Sequence, residues 1–398
     1  YVMAGGSQMA IVGDQLASTI NQNLGKWHLS PSLTEIEKRV VQWGADIIGY
    51  AKNAGGVLGS GGSEANLQGL TIARNLYFER YNIREKGLFG LKPFTVYASK
   101  EVHGCVDKSL QLLGIGAGQL RKVQTNADFT INLEALEKQI VQDIADGCTP
   151  FCVVGTAGTV NTGAIDDLSS LAEIAKKYSM WFHVDGAYGG LASTLPSTKK
   201  HYKGLERADS VAIDFHKWLY QNFEVGCVLV NNWETLRRAY FKKADYLNTE
   251  LEQKGRLDFN EHTFQLSRNG KALKVWMSLK AYGMQRIRQM IQKDIDLAHY
   301  LADEVDKSDD FELASKSQLA VTCFRYTGKL FRENDIAQMN QRLIPALEKD
   351  GRVFITGTKL KGKFVLRSCI INHRKQQKDI DYLLTVIRDV AQHIKQTQ

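Results

Sequence analysis

Trp181-Phe182-His183-Val184-Asp185 runs directly into Gly186-Ala187-Tyr188-Gly189-Gly190, and further on Ser210-Val211-Ala212-Ile213-Asp214-Phe215 runs into His216-Lys217. Both stretches are short, largely apolar and bounded by glycine or charge, which is how a strand buried on both faces reads. The first ends on an acid, the second on a histidine and a lysine. Asp185 and Lys217 stand 32 residues apart, room for one crossover between parallel strands.

Working outward, Phe94–Ala98, Phe151–Gly155 and Gly226–Val230 read as further strands, and Leu168 to Tyr178 as a helix between two of them. Strand–helix alternation predicts an α/β protein with a mostly parallel sheet covered by helices. Upstream, Ser32 to Tyr50 shows helical periodicity, Gly55 to Gly62 reads as a glycine-rich turn, and Ser63 to Tyr81 as a helix. From Gly283 onward a long polar helix, short strands at Leu319–Tyr326, Val353–Ile355 and Phe364–Ile371, and a helix over Lys378–Lys395 predict a small α+β domain. The expected division is an N-terminal remnant over 1–30, a large domain over 31–283 and a small one over 284–398. Tyr1 to Gly13 reads like the interior of a longer chain.

The 398 residues are 43% hydrophobic, more than a single core usually holds. The net charge of +8 is scattered and diluted by acids, which predicts a solvated surface and no nucleic-acid partner. No apolar run reaches the ~18–20 residues of a membrane span, and nothing at the start reads as a signal peptide. A soluble, cytoplasmic protein without membrane contact is expected. Cys148 and Cys152 are the only close cysteine pair; no second pair or histidine completes a zinc set, so no metal is expected.

Open α/β sheets bind ligands beyond the carboxyl ends of their strands. A lysine and an acid there are either a structural ion pair or chemistry. Pyridoxal phosphate needs such groups: an amine to form an imine, and a carboxylate to keep the pyridine nitrogen protonated as an electron sink. Lys217 and Asp185 suit those roles. Ser60-Gly61-Gly62-Ser63-Glu64-Ala65-Asn66 offers a phosphate the N–H groups of a glycine turn opening a helix. The Ser63 hydroxyl either caps that helix or bonds the phosphate. The turn lacks the lysine of a nucleotide P-loop and does not match GxGxxG.

Further motifs are His103 in Val102-His103-Gly104-Cys105-Val106-Asp107-Lys108, Gly155-Thr156 through Asn161-Thr162-Gly163-Ala164-Ile165-Asp166, Ala272-Leu273-Lys274-Val275-Trp276, and Leu366-Arg367-Ser368-Cys369. Together, in this order and over nearly the whole chain, the motifs resemble those of the group II pyridoxal-phosphate-dependent amino-acid decarboxylases. That family includes aromatic, glutamate, 2,4-diaminobutyrate and cysteine-sulfinate enzymes. The chain departs from it at Gly186, where members usually have alanine, and in lacking most of the N-terminal segment.

The resemblance implies fold type I, the aspartate aminotransferase-like architecture with a mostly parallel seven-stranded sheet. It implies a homodimer with active sites at the subunit interface. It also implies that Lys217 is the Schiff-base lysine and that Asp185 pairs the ring nitrogen. His103 would stack on one face of the ring with Ala187 on the other, and Thr156 would lie by the phenolic oxygen. Ser63, the Gly62 backbone, Ser210 and His216 would hold the phosphate. His183 is either part of this cradle or a satisfied core histidine. Tyr246, in Ala244-Asp245-Tyr246-Leu247-Asn248, is either the catalytic acid that protonates Cα, assisted by His103, or a surface tyrosine. Arg367 and Arg268 either meet a substrate carboxylate or serve the protein's own carbonyls.

The expected reaction is decarboxylation of an L-amino acid, aromatic or otherwise neutral, to its amine. Trp27, Trp43 and Phe223 are candidates for an apolar pocket. Diaminobutyrate and acidic substrates are alternatives, as are an aldehyde synthase and a carbon–carbon lyase. The rival from another class is a catalytically silent pyridoxal-phosphate-binding or nucleotide-binding protein.

Overall fold

A computed structural model describes residues 2–241, 255–328 and 332–396. The chain divides into two compact units, one of Gly6–Thr159 and Ile165–Ile287, the other of Tyr1–Gly5, Val160–Ala164 and Arg288–Gln398.

The first unit is built on seven strands: β1 (Gly55–Gly59), β2 (Phe94–Ser99), β3 (Leu120–Val123), β4 (Thr149–Thr156), β5 (Trp181–Asp185), β6 (Ser210–Asp214) and β7 (Gly226–Val230). Their order is β1-β7-β6-β5-β4-β2-β3. β3, β2, β4, β5 and β6 pair in parallel, while β7 is antiparallel to both β6 and β1. The expected seven-stranded, mostly parallel sheet is therefore present.

Helices α1 (Gln8–Ile20), α2 (Pro31–Ile48) and α3 (Gly62–Tyr77) belong to the same unit. α3 carries the weight of one sheet face. Its Ala65 and Ile72 pack with Val57, Ala212 and Val228, while Leu70 and Ala73 pack with Val96, Ala98, Cys152 and Val154. Because side chains alternate along a strand, residues 181, 183 and 185 of β5 and 210, 212 and 214 of β6 share the α3 face. Leu70 is fully buried, and its truncation to alanine is worth about 2–5 kcal/mol.

The second unit holds an antiparallel sheet of β8 (Phe311–Lys316), β9 (Val321–Tyr326), β10 (Thr356–Leu360) and β11 (Lys363–Cys369), ordered β10-β11-β9-β8. The helices Glu333–Asp350 and Gln377–Gln396 complete it.

Several elements differ from the expectation. Gly55–Gly59 is strand β1 rather than part of a turn. A Cβ on Gly56 would sit 2.7 Å from the Val228 carbonyl oxygen and 2.9 Å from Val41 Cγ1, so glycine is what lets β1 lie between β7 and α2. β3 and β8 carry no clear alternation and were not anticipated. The strand expected at Val353–Ile355 begins at Thr356 instead. Residues 6–30 lie in the first unit. The passage between units falls after Ile287, four residues beyond Gly283, whose φ of 70° breaks the helix Ala272–Asp306.

Candidate active site

Register sets the site. Thr156 of β4 pairs with Asp185 of β5, and Asp185 with Ala212 of β6. Thr156, Asp185 and Asp214 therefore leave the sheet together at its carboxyl edge, where α3 begins. The short helix Phe215–Trp218 follows β6 at once and carries Lys217.

Several groups converge there. Asp214 Oδ2 accepts the Gly62 N–H at 3.0 Å and lies 3.4 Å from Lys217 Nζ. Asp214 Oδ1 lies 2.9 Å from His216 Nδ1. A Cβ on Gly62 would fall 2.7 Å from Ala187 Cβ and 3.7 Å from Lys217 Nζ; one on Gly61 would fall 2.8 Å from His216 Cε1. The two glycines are what allow this close approach. Asp185 is buried and accepts the Ala187 N–H at 3.1 Å, which fixes its carboxylate. The Cys105 thiol bonds the Ser63 side chain and feels the charges of Asp185 and Lys217; burial pushes it up to about 12, so it stays protonated.

Thr156 is held from below. Asp166 accepts the Thr156 N–H at 2.8 Å and the Ile131 N–H at 2.7 Å, and burial raises this carboxyl to about 6. The buried Thr156 Oγ1 has no partner among the described residues.

Two expected cradle residues lie elsewhere. Ser210 opens β6, about 13 Å from its carboxyl end at ~3.3 Å per residue, and is fully buried. Its Oγ accepts Trp181 Nε1–H at 2.9 Å and meets His183 Nδ1 at 2.8 Å. His183 is also fully buried, with Nε2 2.9 Å from Asn66 Oδ1, while Asn66 Nδ2 donates to the Gly62 carbonyl at 2.8 Å. Because Asn66 Oδ1 is an acceptor, Nε2 carries the proton and Nδ1 accepts from Ser210. Burial lowers His183 to about 4, keeping it neutral. It stands behind the cradle rather than in it.

The remaining candidates sort as follows. His103 is exposed on the loop before the helix Cys105–Leu112, its Nδ1 accepting the Cys105 N–H at 3.2 Å. Ser63 is exposed in the first turn of α3 and does not cap it; Gly61 is the N-cap, and Glu64 Oε2 accepts the Ser60 N–H at 2.6 Å. Arg268 is buried against Glu37 at 2.5 Å and donates to the Leu58 carbonyl at 2.7 Å, so it is committed to the first unit's interior. Arg367, in the second unit, donates through Nε to the Val160 carbonyl at 2.8 Å. Trp27 bonds Glu35 and stacks under Arg256, and Trp43 lies beneath Lys280. Tyr246 lies outside the described residues. Sequence reasoning gave no role to Asp214 or Asn66, although Asp214 opens the lysine motif at a strand end.

Comparison with known proteins identifies the family. Residues 1–327 match the model of the pyridoxal-dependent decarboxylase conserved domain. The chain is 33% identical over 396 residues to aromatic-L-amino-acid decarboxylase of Bacillus atrophaeus, covering 99% of this chain and 81% of that one. It superposes on Oryza sativa TDC, solved with PLP and tryptamine, with a TM-score of 0.92 and 28% identity over 98% of this chain and 83% of that one. The glutamate decarboxylase domain of a Vibrio parahaemolyticus diaminobutyrate–pyruvate transaminase and L-2,4-diaminobutyrate decarboxylase gives 0.86 and 30%, over 99% and 80%. The chain belongs to the pyridoxal-dependent decarboxylase family: it is an amino-acid carboxy-lyase whose cofactor is pyridoxal 5'-phosphate.

The residues present fit that cofactor. The unpartnered Thr156 Oγ1 is a donor for a ring oxygen, and the turn at Gly61 and Gly62 leaves open what any larger side chain would fill.

Proposed function

We propose that the chain decarboxylates an aromatic or other neutral L-amino acid, with Lys217 as the amine that carries the cofactor and Asp185 facing its ring nitrogen. The observation that supports this most is the convergence of Lys217, Asp214, Gly62 and Ala187 beside the carboxyl edge of β5 and β6. When bound, the cofactor supplies an electron sink for the pair released as the Cα–carboxylate bond breaks. The protein's own groups do the rest. Asp185, oriented by the Ala187 N–H, would face the ring nitrogen from a buried place where electrostatic interactions act strongly. Asp214 orients the Lys217 amine, and the Thr156 hydroxyl would donate a hydrogen bond to an oxygen of the cofactor ring. The Gly62 turn and His216 would hold the cofactor phosphate, and Ala187 and His103 would pack against its ring. Tyr246, assisted by His103, delivers the proton to Cα.

Phe223 supports a neutral substrate: it is 60% exposed, its ring 4.5 Å from that of His216. A homodimer is supported by α1, where Val12, Leu16 and Ile20 stand exposed at four-residue spacing along one face. The buried thiols of Cys105, Cys152 and Cys227 suit a reducing compartment, the cytoplasm. Carbon dioxide release from a panel of L-amino acids, with product identification, tests the reading. Amine from an aromatic or neutral substrate is expected. Aldehyde with ammonia and peroxide would instead make it an aldehyde synthase, and turnover of acidic substrates alone would overturn the substrate class.

A further inference from the structure

We infer that His183 is a positioning residue, which sets the Gly62 turn through Asn66 and thereby tunes the protein's grip on the cofactor phosphate. The inference rests on the proposed role of that turn in holding the phosphate.

The first part of the argument is location. His183 lies in mid-strand, two residues before Asp185 and on the same face, beneath α3. A Cβ on Gly69 would come within 2.5 Å of His183 Cε1, so the helix rests directly on the imidazole ring. No space remains between ring and helix for a ligand.

Connectivity is the second part. Trp181, Ser210, His183, Asn66 and the Gly62 carbonyl form one chain of hydrogen bonds, each 2.8–2.9 Å long and buried from Ser210 onward. Every donor faces an acceptor only if His183 is neutral with its proton on Nε2. The chain ends on the carbonyl of the residue whose N–H already meets Asp214 at 3.0 Å. Gly62 is thus gripped through both of its backbone polar groups, the carbonyl from the strand side and the N–H from the lysine side. A glycine has wide conformational freedom, and these two bonds remove it.

Removing His183 Nε2–H would leave Asn66 free to turn and the Gly62 carbonyl without its side-chain donor. Groups that read the phosphate would lose their alignment, while the Lys217 amine and Asp185 would keep theirs.

The test compares two ligands on the apoenzyme of the full chain: pyridoxal 5'-phosphate and pyridoxal, which lacks the phosphate. Dissociation constants come from absorbance or fluorescence titration. His183→Leu should weaken pyridoxal 5'-phosphate by about tenfold and leave pyridoxal within about twofold. His183→Gln, whose amide N–H reaches the place of Nε2–H, should restore most of the loss. Asn66→Ala should match His183→Leu, and the double variant should be no worse than either. Equal weakening of both ligands, no weakening, or no rescue by glutamine would overturn the inference. Should His183→Leu fail to fold, Asn66→Ala and Ser210→Ala carry the same comparison. Gly62→Ala separates the two claims. If it leaves phosphate discrimination intact, the phosphate site itself is wrong and both fall. If it abolishes discrimination while His183→Leu does not, only the role of His183 falls.

Discussion

Asp214 Oδ2 stands 3.4 Å from Lys217 Nζ and takes the Gly62 N–H at 3.0 Å, so one buried carboxylate ties the lysine to the glycine turn. Strand β6 ends on Asp214, and the helix that follows brings Lys217 back over it at three-residue spacing. Replacing Asp214 by alanine strands a half-buried cation and an N–H at once. The apoenzyme should lose about 3 kcal/mol in urea unfolding, whereas Asp214→Asn, which keeps an acceptor for Gly62, should lose clearly less. Equal losses would show that the charge alone matters.

Lys217→Ala should abolish the long-wavelength cofactor absorbance and lower amine production by at least ~10³-fold, with the fold intact by circular dichroism. An unchanged absorption band in that variant would place the carrier lysine elsewhere.

Gly62→Ala puts a methyl group 2.7 Å from Ala187 Cβ and 3.2 Å from Asp214 Oδ2. Neither neighbour can swing aside, because Ala187 has no torsion and Asp214 is tied to Lys217. Cofactor affinity should fall by about tenfold or more, with a milder loss of stability of roughly 1–3 kcal/mol. Calorimetric titration of the apoenzyme measures the first and thermal unfolding the second.

His183 and Asp166 make opposite contributions to acid stability. His183 takes a proton near 6.5 when unfolded but only near 4 when folded, so its share of stability is full above about pH 6.5 and is lost as pH falls towards 4. Asp166 is raised to about 6 by burial. Its ionisation costs stability above that pH, and the cost is relieved as pH falls from about 6 towards the unfolded value. In His183→Gln the loss between about pH 6.5 and 4 should shrink. In Asp166→Asn it should steepen. Urea unfolding of the apoenzymes near pH 7 and about pH 4.5 gives both slopes.

Tyr246→Phe should retain the cofactor absorbance and lose amine production. Amine formed at the wild-type rate would remove Tyr246 from the reaction.

Much of the site was legible because its residues sit in contiguous, patterned stretches. Asp185 and Lys217 each close an apolar run, and strand ends are where such a sheet exposes functional groups. What stayed hidden depended on partners remote in the chain. Asn66 and His183 are 117 residues apart, and a buried histidine in a strand looks the same whether it faces a cofactor or an asparagine. β1 was hidden for a related reason. Its glycines read as a turn locally, and only the crowding of Val41 and β7 makes them a strand.

The sequence by itself determined the class of chemistry and the parallel sheet, and it singled out the lysine and the acid proposed to carry that chemistry. These follow from side-chain type and from the alternation that burial imposes on a strand. Only the tertiary structure decided which of the accompanying residues stand at the site. Ser210 and Asp214 lie on one strand and one face, yet they sit at its opposite ends, and a motif read as a string does not say which end meets the ligand. Strand register and the packing of α3 across β5 and β6 make that choice. They send Asp214 to the lysine and leave Ser210 with His183, because a buried polar group must find its partner within hydrogen-bond reach.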